Sequence, residues 1–278
     1  MRTALNGKQQ QMRARAIAVT IAGSDSGGGA GIQADLKTFS ALGVYGASVI
    51  TALTAQNTLG VAAIHDVPPA FIAAEIDAVF SDLAVDAVKI GMLSRPEVIG
   101  AVAAGLDRYA QSRIVLDPVM VATSGDMLLA DDAVAGLIAE LLPRAMLVTP
   151  NIREAARLTG APPAESGAEI EAQAEAILAL GGRAVLLKGG HGSGAESADL
   201  LLTPTLKRWY SAPRIATRNT HGTGCTLSSA IAAGLALGQD LETAVAIGKR
   251  YVSDAIAAAD RLSVGKGHGP VHHFHAWW

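Results

Sequence analysis

At 278 residues and a formal net charge of −3, the chain is long enough for one large α/β domain or two small ones. It lacks the positive balance of a nucleic-acid binder held by phosphate neutralisation. Half of its residues are hydrophobic, which excludes wholesale disorder, yet no apolar run reaches membrane-spanning length. One cysteine excludes an internal disulfide and fits a reducing, cytoplasmic setting.

The basic start (Arg2, Lys8, Arg13, Arg15) followed by an apolar run has a faint signal-peptide outline. That run is at the short limit of an h-region, and Gly-Ser-Asp-Ser-Gly-Gly-Gly follows at once, so residues 1–15 are expected to be a flexible extension and 16–278 one domain. Ala16 to Ala22 reads as a buried strand, Gly23 to Gly31 as a glycine loop, and Ile32 to Leu42 as a helix. Gly29, Gly31 and Ala34 fit a loose G-x-G-x-x-A pattern. No acidic residue ends the next strand to hold a ribose, which argues against a dinucleotide fold, and no G-x-x-x-x-G-K-[ST] occurs.

Val44 to Ala55 is strand-like and ends at Gln56-Asn57, with Val61 to Val67 pairing beside it. A helix runs from Pro68-Pro69 to about Asp82. Asp86 to Ile90 is a strand leading to Gly91-Met92-Leu93, and a helix follows from Pro96 to Tyr109. The strand Arg113 to Leu116 ends at Asp117-Pro118, and a loop around Ser124-Gly125-Asp126 precedes a helix over Asp131 to Leu142. Strand Ala145 to Thr149 meets Pro150-Asn151 and a helix to Leu158. A helix over Ala168 to Leu180 leads to strand Ala184 to Leu187 and then Lys188-Gly189-Gly190-His191. Asp199 to Thr203 and Lys207 to Ser211 read as an antiparallel pair. Ser228 to Leu237 and Leu241 to Ala259 close the series as helices. Strands alternating with helices specify an α/β fold with a mostly parallel sheet covered on both faces.

Asn219 to Leu227 (NTHGTGCTL) places two glycines just before a helix. The N–H groups of residues 222 to 225, backed by the helix dipole, form a site for a phosphate or a developing oxyanion. Cys225 sits there, and a helix N-terminus predicts a lowered thiol pKa; a glycine-rich helix entry with a small buried cysteine is the alternative. In such sheets ligands bind beyond the carboxyl ends of the strands. Those ends carry Gly23-Ser24-Asp25, Gln56, Lys89 to Met92, Asp117, Asn151 and Lys188. A lysine for phosphate oxygens, carboxylates for Mg²⁺ (Asp117, Glu154) and a helix N-terminus resemble phosphoryl-transfer equipment. Asn151-x-x-Glu154 is equally an N-cap with a glutamate at N3, Asp25 a loop-shaping residue, and Met92 a core residue. Gln56 suits either a heterocycle's donor–acceptor edge or the backbone.

The segments Ala22 to Thr38 (AGSDSGGGAGIQADLKT), Ile50 to Thr58 (ITALTAQNT), Val88 to Leu93 (VKIGML), Leu116 to Met120 (LDPVM), Thr149 to Asn151, Leu187 to His191 (LKGGH), Asn219 to Leu227 and the tail Gly265 to His275 (GKGHGPVHHFH) run in colinear order. Together they closely resemble the hydroxymethylpyrimidine/phosphomethylpyrimidine kinase family of thiamine biosynthesis. The resemblance implies a ribokinase-like three-layer α/β/α sandwich. It implies ATP-dependent phosphorylation of 4-amino-5-hydroxymethyl-2-methylpyrimidine to its monophosphate and then its diphosphate, with Mg²⁺, in a homodimer. Gln56 and the Gly23 backbone are then expected to contact the pyrimidine, with Asp35 and Met92 lining its pocket. Lys188, Asn151 and the Gly222, Thr223 and Gly224 amides are expected to hold nucleotide phosphate and the transferred group, and Asp117, Asn151 and Glu154 to organise Mg²⁺ and its waters.

The wider superfamily places an aspartate base after Gly-Thr-Gly; here Cys225 stands there, as in this family. A neutral thiol repels an already anionic acceptor less than a carboxylate does, and a thiol of lowered pKa can accept the hydroxymethyl proton. Because the Gly-Pro-Val-His-His-Phe-His ending resembles the family's own, His272, His273 and His275 are read as native and packed. A pyridoxal or pyridoxine kinase of the same fold is the nearest alternative, and a non-catalytic pyrimidine-binding protein a more distant one, against which Lys188, Asp117, Gly224 and Cys225 speak.

Overall fold

The computed structural model describes residues 15–120, 131–189 and 194–278. The expected extension up to residue 14, the loop around Ser124 and Gly190-His191 lie outside the described residues.

The described strands form one nine-stranded sheet in the order β3-β2-β1-β4-β5-β6-β7-β8-β9. β1 (Ile17–Asp25), β2 (Tyr45–Asn57), β4 (Ala87–Ile90), β5 (Ile114–Leu116), β6 (Leu147–Val148) and β7 (Val185–Lys188) run parallel. β3 (Gly60–Asp66) caps one edge antiparallel to β2, and β8 (Glu196–Leu202) and β9 (Lys207–Pro213) extend the other edge as an antiparallel pair. The chain leaves β1 for β2 on one side and then crosses to β4 on the other, so the strand order reverses at β1, where α/β sheets open a crevice beyond their carboxyl ends.

Period-two alternation sorts the strands between two hydrophobic layers. Val19, Ile21, Val88, Ile90 and Leu116 face α2 (Pro69–Phe80), α3 (Pro96–Arg108), α5 (Ile152–Thr159) and α6 (Gly167–Ala179), together with α4 (Asp131–Gly136), which continues as a π-helical turn. Ala18, Ala87, Val115, Leu147 and Leu186 face α1 (Gly31–Ala41), α7 (Thr223–Ala236) and α8 (Leu241–Ala257). The three-layer α/β/α sandwich is therefore as expected. α7 is buried continuously from Thr226 to Ala236, which suits its run of Ala, Gly and Ser. A Cβ on Gly248 would come within 2.8 Å of Ile231 Cγ1, so α8 lies tight against it.

One boundary differs in a way that matters for the site. α7 begins at Thr223, with Gly222 at its N-cap in the left-handed region (φ +82°); Thr223, Gly224 and Cys225 form its first turn rather than a loop before it.

The segment after α8 returns across the crevice. The Gly267 N–H donates to Thr58 Oγ1 (3.1 Å) and the His268 N–H to the Thr58 carbonyl (2.9 Å), at the β2–β3 turn. The His221 N–H donates to the Gly269 carbonyl (3.0 Å) and the Val271 N–H to the His221 carbonyl (3.2 Å). His273 is buried with Nε2 3.0 Å from Thr226 Oγ1, and Tyr251 donates its hydroxyl to the His273 carbonyl. The tail is packed, as the sequence suggests.

Candidate active site

The carboxyl ends of the strands and the N-terminus of α7 enclose one cavity of ≈ 520 Å³. Its lining includes Gly23, Gln56, Met92, Asp117, Asn151, Glu154, Lys188, Gly222, Thr223, Gly224 and Cys225. These residues are scattered over the chain, and parallel β1, β4, β5 and β7 gather them because every strand ends at the same edge.

The phosphate end is built around Asp117, which follows β5 and is 1% exposed. Its Oδ1 accepts from Lys188 Nζ (2.8 Å) and Thr149 Oγ1 (3.1 Å), and its Oδ2 from Ser228 Oγ (3.2 Å). Burial alone would raise its pKa, but the lysines at 188 and 89 hold it below the ordinary carboxylate range. Lys188, at the end of β7, also lies 3.9 Å from Glu154 Oε2. Burial disfavours its charge, yet Asp117 and Glu154 raise its pKa, so it is an ammonium.

The capping reading of Asn151 and Glu154 is the one the hydrogen bonds show. Asn151 Oδ1 caps α5 by accepting from Arg153 and Glu154 N–H, while Glu154 Oε2 accepts the Asn151 N–H at 2.7 Å. Burial, reinforced by the Asp117 charge, nevertheless pushes Glu154 up to about 7. Three buried carboxylates, Asp35, Asp117 and Glu154, thus share the two lysines 89 and 188, a set short of positive charge. That is the environment a cation relieves, and it suits Mg²⁺, which uses one or two carboxylates and otherwise keeps waters and phosphate oxygens. Among the described residues no cluster of three or more His, Cys, Asp or Glu is arranged to hold a metal by itself.

No side chain caps α7, as none caps α1, α2 or α3. First-turn N–H groups have no partner within a helix, so this uncapped end offers its donors to the cavity. Gly224 keeps the turn open: a Cβ there would sit 3.3 Å from Lys188 Nζ. The Thr223 N–H and hydroxyl both go to the Thr220 carbonyl (3.2 and 2.7 Å). The expected phosphate contact of Thr223 is therefore corrected: its donors are spent on shaping the turn.

Two further expectations are corrected. Asp35 does not line the cavity; it is fully buried on α1 beneath it. Its carboxylate accepts from Lys89 Nζ (2.9 Å), Thr20 Oγ1 (2.6 Å) and Ser229 Oγ (2.6 Å). Lys89 is the wall residue above it, and the acidic neighbours Asp35, Cys225 and Asp117 overcome the effect of burial to raise its pKa. The Cys225 thiol pKa is not lowered but pushed up to about 11, because removal from water outweighs the nearby Lys89 ammonium and the charges of Asp35 and Asp117 add to it. Burial defeats the helix dipole here.

At the other end, Gly23 and Met92 touch across β1 and β4: a Cβ on Gly23 would lie 2.7 Å from Met92 Cε. Beside them Gln56 presents its amide at the rim, on a strand end laced to the glycine loop by a Ser26 hydroxyl that both accepts from the Gln56 N–H and donates to its carbonyl (2.8 Å each).

Sequence reasoning assigned no role to the Lys89–Asp35 pair, although a lysine inside the apolar strand Ala87–Ile90 demands a buried partner. It also missed the buried Lys249–Asp199 pair (2.8 Å) in the far wall and the contact between His221 and Asp25 (2.9 Å). Those partners lie 50 and 196 residues apart, so no local spacing announces them.

A sheet-end crevice with a lysine, two carboxylates and an uncapped glycine-led helix, facing an amide-bearing apolar end, is that of a small-molecule kinase on a ribokinase-like fold. The family model described as phosphomethylpyrimidine kinase matches residues 25–272. The chain is 64% identical over 263 residues to the hydroxymethylpyrimidine/phosphomethylpyrimidine kinase of Rhizobium meliloti (strain 1021), spanning 95% of this chain and 98% of that protein. The crystal structure of phosphomethylpyrimidine kinase from Clostridium difficile 630 is 47% identical with a TM-score of 0.77, covering 87% of this chain and 100% of that one. An ADP complex of Bacillus subtilis pyridoxal kinase is 32% identical with a TM-score of 0.88, covering 95% and 99%. This chain belongs to the phosphomethylpyrimidine kinase family.

Proposed function

We propose that the enzyme phosphorylates the hydroxymethyl oxygen of 4-amino-5-hydroxymethyl-2-methylpyrimidine and then the resulting monophosphate, from ATP, in thiamine biosynthesis. The observation that carries this reading is the single cavity whose apolar end holds Gly23, Gln56 and Met92 and whose other end holds Lys188, Asp117, Glu154 and the α7 N-terminus. Acceptor ring and transferring group thus meet in one enclosure.

Gln56 offers a donor and an acceptor to the heterocycle edge, while Met92 and the Gly23 backbone cover its faces. Lys188 and the first-turn N–H groups of α7 stabilise charge on the transferred group, which is the main work of phosphoryl transfer. Asp117 and Glu154 are the carboxylates that would hold Mg²⁺, directly or through water; when bound it neutralises nucleotide phosphate charge. Asn151 shapes this end by capping α5.

Cys225 is neutral at physiological pH. In a loose transition state the acceptor oxygen keeps its proton until bonding to phosphorus makes it acidic. The minor thiolate form of Cys225, favoured by the Lys89 ammonium, takes that proton late in the first step and becomes the thiol, and in the second step the acceptor is already an oxyanion. We further propose a cytoplasmic homodimer. The hairpin residues Leu53, Leu59 and Ile64 are exposed apolar surface of the kind that interfaces cover; light scattering tests this.

The test of function is ADP release with Mg-ATP and each of three acceptors: the pyrimidine alcohol, its monophosphate and pyridoxine. Turnover of both pyrimidines with pyridoxine much slower is the expected result; preference for pyridoxine would overturn it.

A further inference from the structure

Asp25, at the end of β1, is the most heavily bonded side chain in the glycine loop. Its Oδ1 accepts the Gly27 N–H (2.8 Å), and its Oδ2 accepts the N–H groups of Gly29 (3.0 Å) and Ala30 (2.8 Å). His221 Nε2, from the turn before α7, lies 2.9 Å from the same Oδ2. Burial would raise the Asp25 pKa, but the His221 hydrogen bond and the backbone donors hold it below the usual range. It is a carboxylate, so the ring nitrogen facing it carries a hydrogen in either charge state of the imidazole.

That nitrogen also lies 3.4 Å from the Gln56 amide atom placed as Nε2, while the atom placed as Oε1 lies 3.1 Å from Thr54 Oγ1. Thr54 has one hydroxyl hydrogen and donates it to the Ser24 carbonyl (2.8 Å). The oxygen and nitrogen of a glutamine amide are told apart by their partners. A ring N–H facing the Gln56 NH₂ would set donor against donor, and the Thr54 hydrogen is already used, so the reversed amide fits better: its carbonyl faces His221 as a second, longer acceptor of the N–H that Asp25 holds, and its NH₂ faces Thr54. The backbones interlock at the same place. A Cβ on Gly29 would come within 2.4 Å of His221 Cδ2, and one on Gly222 within 1.9 Å of the Gly29 carbonyl oxygen.

We propose that Asp25 and His221 are positioning residues: the pair sets which way the Gln56 amide faces the acceptor ring and latches the glycine loop onto the phosphate-binding turn. This rests on the reading above that Gln56 contacts the heterocycle. The pair acts on the ring end of the cavity, and none of its side chains needs to touch the transferring group.

The test is steady-state kinetics of His221→Phe and His221→Gln, each alone and combined with Gln56→Ala, plus amide hydrogen exchange of the free proteins. His221→Phe should raise KM for the pyrimidine about tenfold, the factor one hydrogen bond is worth, and leave KM for ATP unchanged. His221→Gln, whose side-chain N–H can reach the same carboxylate, should recover most of that loss. In the Gln56→Ala background His221→Phe should add nothing. Equal rises in both KM values, or additive losses with Gln56→Ala, would overturn the proposal. Exchange of residues 26–31 should quicken in His221→Phe while α3 and α6 stay unchanged; uniform quickening would also overturn it. If the wild-type enzyme ignores the pyrimidine, the functional reading fails on its own, and the exchange pattern still decides the latch.

Discussion

Titrating Cys225 tests the electrostatic picture of the site most directly, because the chain has one cysteine and every thiolate signal comes from it. Burial raises its pKa from an ordinary 9.0 to about 11. At pH 8 the thiolate fraction is then about one in a thousand, against about one in ten for an ordinary thiol, a hundredfold suppression. Alkylation by iodoacetamide, followed by intact mass, should rise about tenfold per pH unit from 7 to 10 without levelling. Ultraviolet absorbance of the thiolate gives the same midpoint without depending on reagent access. Lys89→Met should move that midpoint further up, since the ammonium favours the thiolate. A midpoint at or below 9 in the wild-type protein would refute the argument that desolvation outweighs the helix N-terminus, and would restore Cys225 as a ready base.

Cys225→Ala should slow the first phosphorylation more than the second; equal losses, read by separate assays of the two acceptors, would remove the proton-acceptor role. Lys188→Met should lower kcat by about 10²–10³, as for loss of one preorganised charge-stabilising donor, and a loss below tenfold would move the phosphate site elsewhere. Lys89→Met leaves Asp35 buried without its cation and should cost about 3–5 kcal/mol in denaturant unfolding, most of it recovered in Lys89→Met/Asp35→Asn. His273 is held neutral by burial, its pKa lowered from 6.5 to about 3. Between those values the unfolded chain binds a proton that the folded one refuses, so this contribution is complete above pH 6.5 and falls by about 1.4 kcal/mol per unit as pH drops towards 3. Unfolding curves of His273→Phe should lack that part of the acid slope.

The fold was legible because its signals are local and repeated. Apolar strands ending in Gly, Asp, Asn or Lys, each followed by a helix, specify a parallel sheet, and the parallel sheet then brings those ends together. Asn151 and Glu154 were legible twice over, since one spacing serves both a cap and a carboxylate at a strand end. What stayed hidden depends on depth and on distant partners. Asp35 has the sequence context of a pocket residue, but on α1 it points at the sheet, where Lys89 meets it. Thr223 carries the donors of a phosphate ligand, but the turn that orients α7 consumes them. The direction of the Cys225 shift turns on whether the helix end is wet or dry, and only the packing of α7 beneath the sheet edge decides that.

The tail that crosses from Thr58 to His221 and Thr226 has a bearing on the order in which contacts form along the chain. Gln56, Asp117 and Lys188 all precede it in the chain, and α7 and α8 can pack as soon as they emerge. The hydrogen bonds that tie the β2–β3 turn to the turn before α7 come only with residues 267–273. During synthesis these two turns therefore stay untied until this segment arrives, a contact of very high sequence separation of the kind that forms slowly. A chain truncated before residue 267 should fold with the β2–β3 turn and the turn before α7 untied.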